Sequence, residues 1–153
     1  MREQLNEGQE FSGPLRCLSK ARILALSGGA LGSAEWPRKN LHTDAAKAAE
    51  AGLPAPIASG IQCEGDIVRL LIRLFDERWF SHGKLSVTHR RPVFEGTWVQ
   101  ARARVGASTA SDAGEIVHVE VWCETPEKDI VTVGTASCVR ERHTYQEVSK
   151  ELT

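Results

Sequence analysis

At Gly83 the apolar pattern of this chain changes period. Upstream, Ile67, Val68, Leu71, Leu74 and Phe75 recur at steps of three and four, the spacing of one buried helical stripe. Arg69, Arg73 and Asp76 lie off that stripe. Downstream the step is two. Leu85, Val87, His89, Arg91 and Val93 share one face of a first strand. Val99, Ala101, Ala103 and Val105 share a face of a second, over about 98–107. Val117, Val119 and Val121 alternate in a third, over about 116–123. A β-branched run over about 130–139 makes a fourth. Gly96, Ser111-Asp112-Ala113-Gly114 and Pro126-Glu127-Lys128-Asp129 are the turns between them. The spacing therefore predicts one helix from about Ser59 to about Trp79, then four antiparallel strands.

The first third is richer in loops. Residues 1–13 are polar and read as a flexible N-terminus. Pro14 to Leu18 suits a short strand, and Lys20 to Leu26 is too short to assign. The small-residue stretch from Ser27 to Ser33 is no phosphate cradle: it has neither a P-loop ending nor dinucleotide glycine spacing. Thr43 or Asp44 can cap an alanine-rich helix that ends at Gly52, and Pro54 and Pro56 mark an extended turn. A long helix with a broad apolar face needs a curved sheet to wrap it. The expected architecture is α+β: a hotdog fold with about five strands, a single domain over 14–142 and a C-terminal tail over 143–153.

Composition narrows the function. With 153 residues and 41% hydrophobic content, the chain has the size of one ordinary domain. Its 19 basic and 20 acidic residues leave a formal net charge of −1, which argues against nucleic acid as a partner. Its apolar stretches are far too short to span a bilayer, so no membrane is expected. Cys17, Cys63, Cys123 and Cys138 include no CxxC pair. They read as ordinary thiols in a reducing compartment, with no zinc site, no other metal and no cofactor. The N-terminus lacks a signal-peptide apolar region, so the expected location is cytoplasmic.

Two segments carry a family resemblance. Asn40-Leu41-His42-Thr43-Asp44, followed by Ala51 to Gly60 with its Pro-Ile-Ala-Ser-Gly ending, resembles the MaoC-like (R)-specific enoyl-CoA hydratase family. So do Leu85-Ser86-Val87 and the stretch Arg91-Pro92-Val93-Phe94-Glu95-Gly96-Thr97. The resemblance runs from about Leu18 to Val139. It implies a hotdog homodimer or higher oligomer that adds water across, or removes it from, the α,β bond of an acyl thioester carried by CoA or a carrier protein. It also implies that His42 is a catalytic base and that the Gly60 N–H meets the thioester carbonyl. Ser59 lies beside Gly60, and Asn40 belongs to the same site.

Elementary chemistry agrees with those roles. Hydration builds negative charge on the carbonyl oxygen, and a helix N-terminus offers unpaired N–H donors and a positive dipole end. An imidazole moves protons near neutral pH. One expected part is missing. The family's catalytic Asp lies five residues before the His, where this chain has Pro37 within an expanded Gly28–Lys39 loop. Glu64 is the first candidate to replace it. It lies one turn after Gly60, on the face of Ile67, Val68 and Leu71. Glu35 and Asp44 follow. Against this, Glu64 suits an ion pair with Arg91 or a dimer contact, and Asp44 suits a helix cap.

Other candidates carry two readings each. Gln62 is either a polar wall of the site or a first-turn helix residue. Trp36 packs in the expanded loop or lines an acyl pocket. His89 and Arg91 are sheet-face residues or ligand neighbours. Arg90, Arg91 and Arg102 are a solvated face or contacts for CoA phosphates. His82, His118 and His143 read as surface or sheet residues. Two alternatives to hydration stand: a hotdog thioesterase using Glu64, and a protein that binds acyl thioesters without chemistry.

Overall fold

The computed structural model describes residues 5–140. Strand β1 spans Glu10–Ser12 and β2 spans Arg16–Cys17. Helices α1 (Lys20–Ser27) and α2 (Ala45–Glu50) follow, then α3 (Ile61–Phe75) and α4 (Arg78–His82). Strands β3 (Lys84–His89), β4 (Trp98–Ser111), β5 (Gly114–Glu124) and β6 (Ile130–Arg140) complete the chain. The antiparallel sheet runs β1-β4-β5-β6-β3, with β2 also pairing to β4. The three long strands arise where alternation predicts them. Val99, Ala101, Ala103, Val105, Val117, Val119 and Val121 are all buried.

Helix α3 lies on that apolar face. Its buried residues are Cys63, Ile67, Leu70, Leu71 and Phe75. Burying each large aliphatic side chain contributes roughly 1.5–3 kcal/mol. The buried face is turned slightly from the expected stripe. Val68 and Leu74 pack at its margin, and Leu70 takes the centre. That turn matters at the first turn of the helix, where Cys63 points inward and Glu64 is only half-buried.

Several boundaries differ from expectation. The helix expected to run to Trp79 stops at Phe75, because Asp76 takes a left-handed φ of 53°, and a separate short helix follows. The expected flexible N-terminus contains β1, pinned to β4 with Phe11 buried. Lys20–Ser27 is a helix, capped by Ser19 accepting from the Arg22 N–H. The first predicted strand ends at His89, and the chain turns there before Val93 enters the core. Asp44 caps α2, accepting from the Lys47 N–H at 3.0 Å, and Gly52 follows that helix with φ 78°. All four cysteines are free thiols. The tail expected over 143–153 lies outside the described residues.

Candidate functional site

The loop that carries His42 is held by its own side chains. Asn40 donates from Nδ2 to the Ser27 carbonyl at 2.7 Å and accepts the His42 N–H at 2.9 Å. The Asn40 N–H donates to Thr43 Oγ1, whose hydroxyl donates to the Arg38 carbonyl at 2.6 Å. Both ends of the Asn40 amide are thus committed to shaping the loop. Asn40, expected among the ligand contacts, is instead a brace for His42 and does not line the cavity below.

The segment before α3 is anchored in the same way. Ile57 bridges Phe94, and the Ala58 N–H donates to the Val93 carbonyl at 2.7 Å. This leads the chain into α3 at Gly60, where no side chain caps the helix. The Gln62 N–H donates to the Ser59 carbonyl at 3.0 Å, and the other N–H groups of the first turn are left for another acceptor.

His42, Ser59, Gly60, Cys63, His89, Arg90, Arg91 and Thr132 meet around one cavity of about 400 Å³, with apolar walls from Leu53, Ile57, Pro92 and Val93. His42 Nδ1 lies 2.8 Å from the Ile57 carbonyl. A carbonyl can only accept, so Nδ1 carries the hydrogen. Neutral His42 then has its basic lone pair on Nε2. In effect the Ile57 carbonyl orients the imidazole without contributing a charge.

His89 stands across from the α3 N-terminus. A side chain at Gly60 would drive its Cβ into His89 Nε2, with the next two nearest atoms also in that ring. The space that glycine leaves is therefore filled by the His89 imidazole. His89 Nδ1 lies 3.1 Å from the Thr132 hydroxyl, and Thr132 is fully buried. Behind Thr132, Cys123 Sγ donates to the Cys63 carbonyl at 3.5 Å. Contact with Cys63, then burial, pushes the Cys123 thiol up, so it stays protonated.

The remaining candidates disperse. Glu64 does not line the cavity and makes no ion pair among the described residues; the face turned inward carries Cys63 in its place. Glu35 is exposed, and Asp44 is occupied as a cap. Among the described residues, no carboxylate lines the His42 cavity. Gln62 turns toward α1, donating to the Arg22 carbonyl at 2.9 Å, and lines a different groove with Leu26 and Ile61. Trp36 packs over Gly28 and is not part of the cavity wall. Arg91 pairs with Asp129, and Arg102 pairs with Glu10 and Glu124. Arg90 makes no ion pair among the described residues and lies at the cavity. His82 contacts Ser81, His118 contacts Thr109, and His143 lies outside the described residues.

Several solved structures are similar to this chain over most of its length. A MaoC-like dehydratase from Rhodospirillum rubrum matches with a TM-score of 0.71 and 20% identity, over 90% of this chain and 94% of that one. An (R)-hydratase from A. caviae involved in PHA biosynthesis matches at 0.65 and 21%, over 90% and 98%. The HadBC (3R-hydroxyacyl-ACP dehydratase) complex from Mycobacterium tuberculosis matches at 0.65 and 12%, over 90% and 98%. The fold is the hotdog. No protein-family model matches the sequence, and no curated protein matches it significantly. No described helix is long and apolar enough to cross a membrane. No group of three or more His, Cys, Asp or Glu among the described residues is arranged to hold a metal ion.

Proposed function

We propose that this MaoC-like hotdog protein is a hydratase or dehydratase acting on an α,β-unsaturated or 3-hydroxy acyl thioester, by syn addition or loss of water. The observation that carries this reading is the shared cavity of His42 and the uncapped α3 N-terminus at Gly60. His42 Nε2 takes a proton from water, and the hydroxyl adds to the β carbon. The electron pair moves onto the thioester oxygen, which the first-turn N–H groups of α3 hold. His42 then returns the proton to the α carbon. One base thus serves both transfers, and the loss of the usual Asp is tolerated because Ile57 orients the ring. Dehydration is the reverse path.

Arg90 is the candidate contact for the phosphates of a CoA thioester. The MaoC-like neighbours include multi-chain complexes, and strand β3 ends the sheet beside His89. We take a homodimer or higher oligomer as the working unit. The thioesterase alternative needs Glu64 at the cavity, and Glu64 is not there. The test is incubation with crotonyl-CoA, longer enoyl-CoAs and carrier-bound enoyl thioesters. Loss of conjugated-thioester absorbance without release of free thiol is the expected result. Thiol release, or binding without turnover across the panel, contradicts it.

A further inference from the structure

Three observations single out His89. Its Nε2 occupies the space left by the missing side chain of Gly60, so this polar atom lies at the α3 N-terminus. Its other ring nitrogen contacts the hydroxyl of Thr132, a polar residue only 1% exposed. The imidazole itself is exposed and lines the His42 cavity, where no carboxylate is found among the described residues. A ring that only packed on the helix would need neither a polar atom at the helix terminus nor a buried hydroxyl behind it.

We propose that His89 is a second donor to the thioester carbonyl, acting from Nε2 beside the α3 amides. With the Thr132 hydroxyl donating to Nδ1, the neutral ring keeps its one hydrogen on Nε2. As the electron pair of the α,β bond moves onto the thioester oxygen, that oxygen accepts from His89 Nε2–H and from the helix N-terminus together. No proton leaves His89, and His42 remains the only group that gains and loses one. The site is thus a single base facing a two-part oxyanion cradle. This assignment rests on the acyl-thioester reading above and names a contact within it.

The test combines kinetics with a spectrum that does not need turnover. Sorboyl-CoA, a dienoyl thioester, absorbs further to the red when its carbonyl is polarised by donors. The wild-type protein is expected to bind it with a red shift and to hydrate crotonyl-CoA. His89→Phe, checked for folding by circular dichroism, is expected to lose the shift and about 100-fold or more in kcat, with KM within about 3-fold. His89→Gln keeps a side-chain N–H and is expected to retain much of the shift and of kcat. Thr132→Val is expected to fall between the two. Turnover by the wild type together with an unchanged shift and kcat in His89→Phe overturns the role of His89 alone. A shift that depends on His89 without any hydration supports the contact and overturns the hydratase reading. Neither binding nor turnover by the wild type overturns both.

Discussion

His42 Nδ1 and the Ile57 carbonyl oxygen lie 2.8 Å apart. A backbone carbonyl thereby sets the tautomer of the imidazole. The position of that ring depends in turn on Asn40, whose amide spans from the Ser27 carbonyl to the His42 N–H. Asn40→Ala removes both bonds and lets the loop drift. Misplacing a catalytic group by about 1 Å can cost roughly 100-fold. Asn40→Ala is therefore expected to lower kcat by about 10- to 100-fold with a smaller change in KM, as read by steady-state kinetics on an enoyl-CoA. An unchanged kcat would remove Asn40 from the account.

Gly60 and His89 are a packing pair. Gly60→Ala forces a methyl group into the His89 ring. Overpacking of this kind costs about 1–3 kcal/mol, at the low end where a side chain can swing away. Adding His89→Ala to Gly60→Ala is expected to recover most of that loss. Urea denaturation of the two single variants and the double variant measures the coupling. Strict additivity would show that the two residues do not meet.

Asp44 separates a cap from an acid. As the N-cap of α2 it is expected to contribute about 1 kcal/mol, so Asp44→Ala lowers stability by that amount. Its kcat is expected to match the wild type. A large loss of kcat with unchanged stability would instead assign Asp44 to the chemistry.

Glu124 gives the fold a pH dependence of known sign. Burial works to raise its pKa, but Lys128 at 2.7 Å, the Trp122 N–H at 2.9 Å and Arg102 outweigh burial. Together they hold the carboxyl below its ordinary 4.5. A carboxyl depressed in the folded state contributes stability that is present above the ordinary value. That stability is lost as the pH falls through the folded value. Glu124→Gln is expected to lower the urea midpoint at neutral pH, and the gap to wild type is expected to close on acidification below 4.5. A gap that stays constant with pH would contradict this.

Much of the fold was legible in the sequence, because burial on one face imposes its own period. The alternation through Val99–Val105 and Val117–Val121 marks one face of each strand for the core, and all of those side chains are buried there. Strand β1 has no signature in the sequence, because three residues around one Phe11 carry no period. The site was legible only in part. His42 and Gly60 stand out by motif. Stepping back from Ile67 by three gives Glu64 and by four gives Cys63, and only the packing of α3 decides between them. His89 sits on a strand face as its alternation implies, but no pattern shows that Gly60 lies opposite. The Ile57 carbonyl has no sequence signature at all, since every residue carries one.

The central claim is that His42 acts without a carboxylate partner in its cavity. Comparing Glu64→Gln with His42→Ala on crotonyl-CoA tests it most directly. The account predicts that Glu64→Gln turns over within about 3-fold of wild type, whereas His42→Ala falls by about 100-fold or more. An equal collapse in both variants, or full activity in His42→Ala, would contradict it.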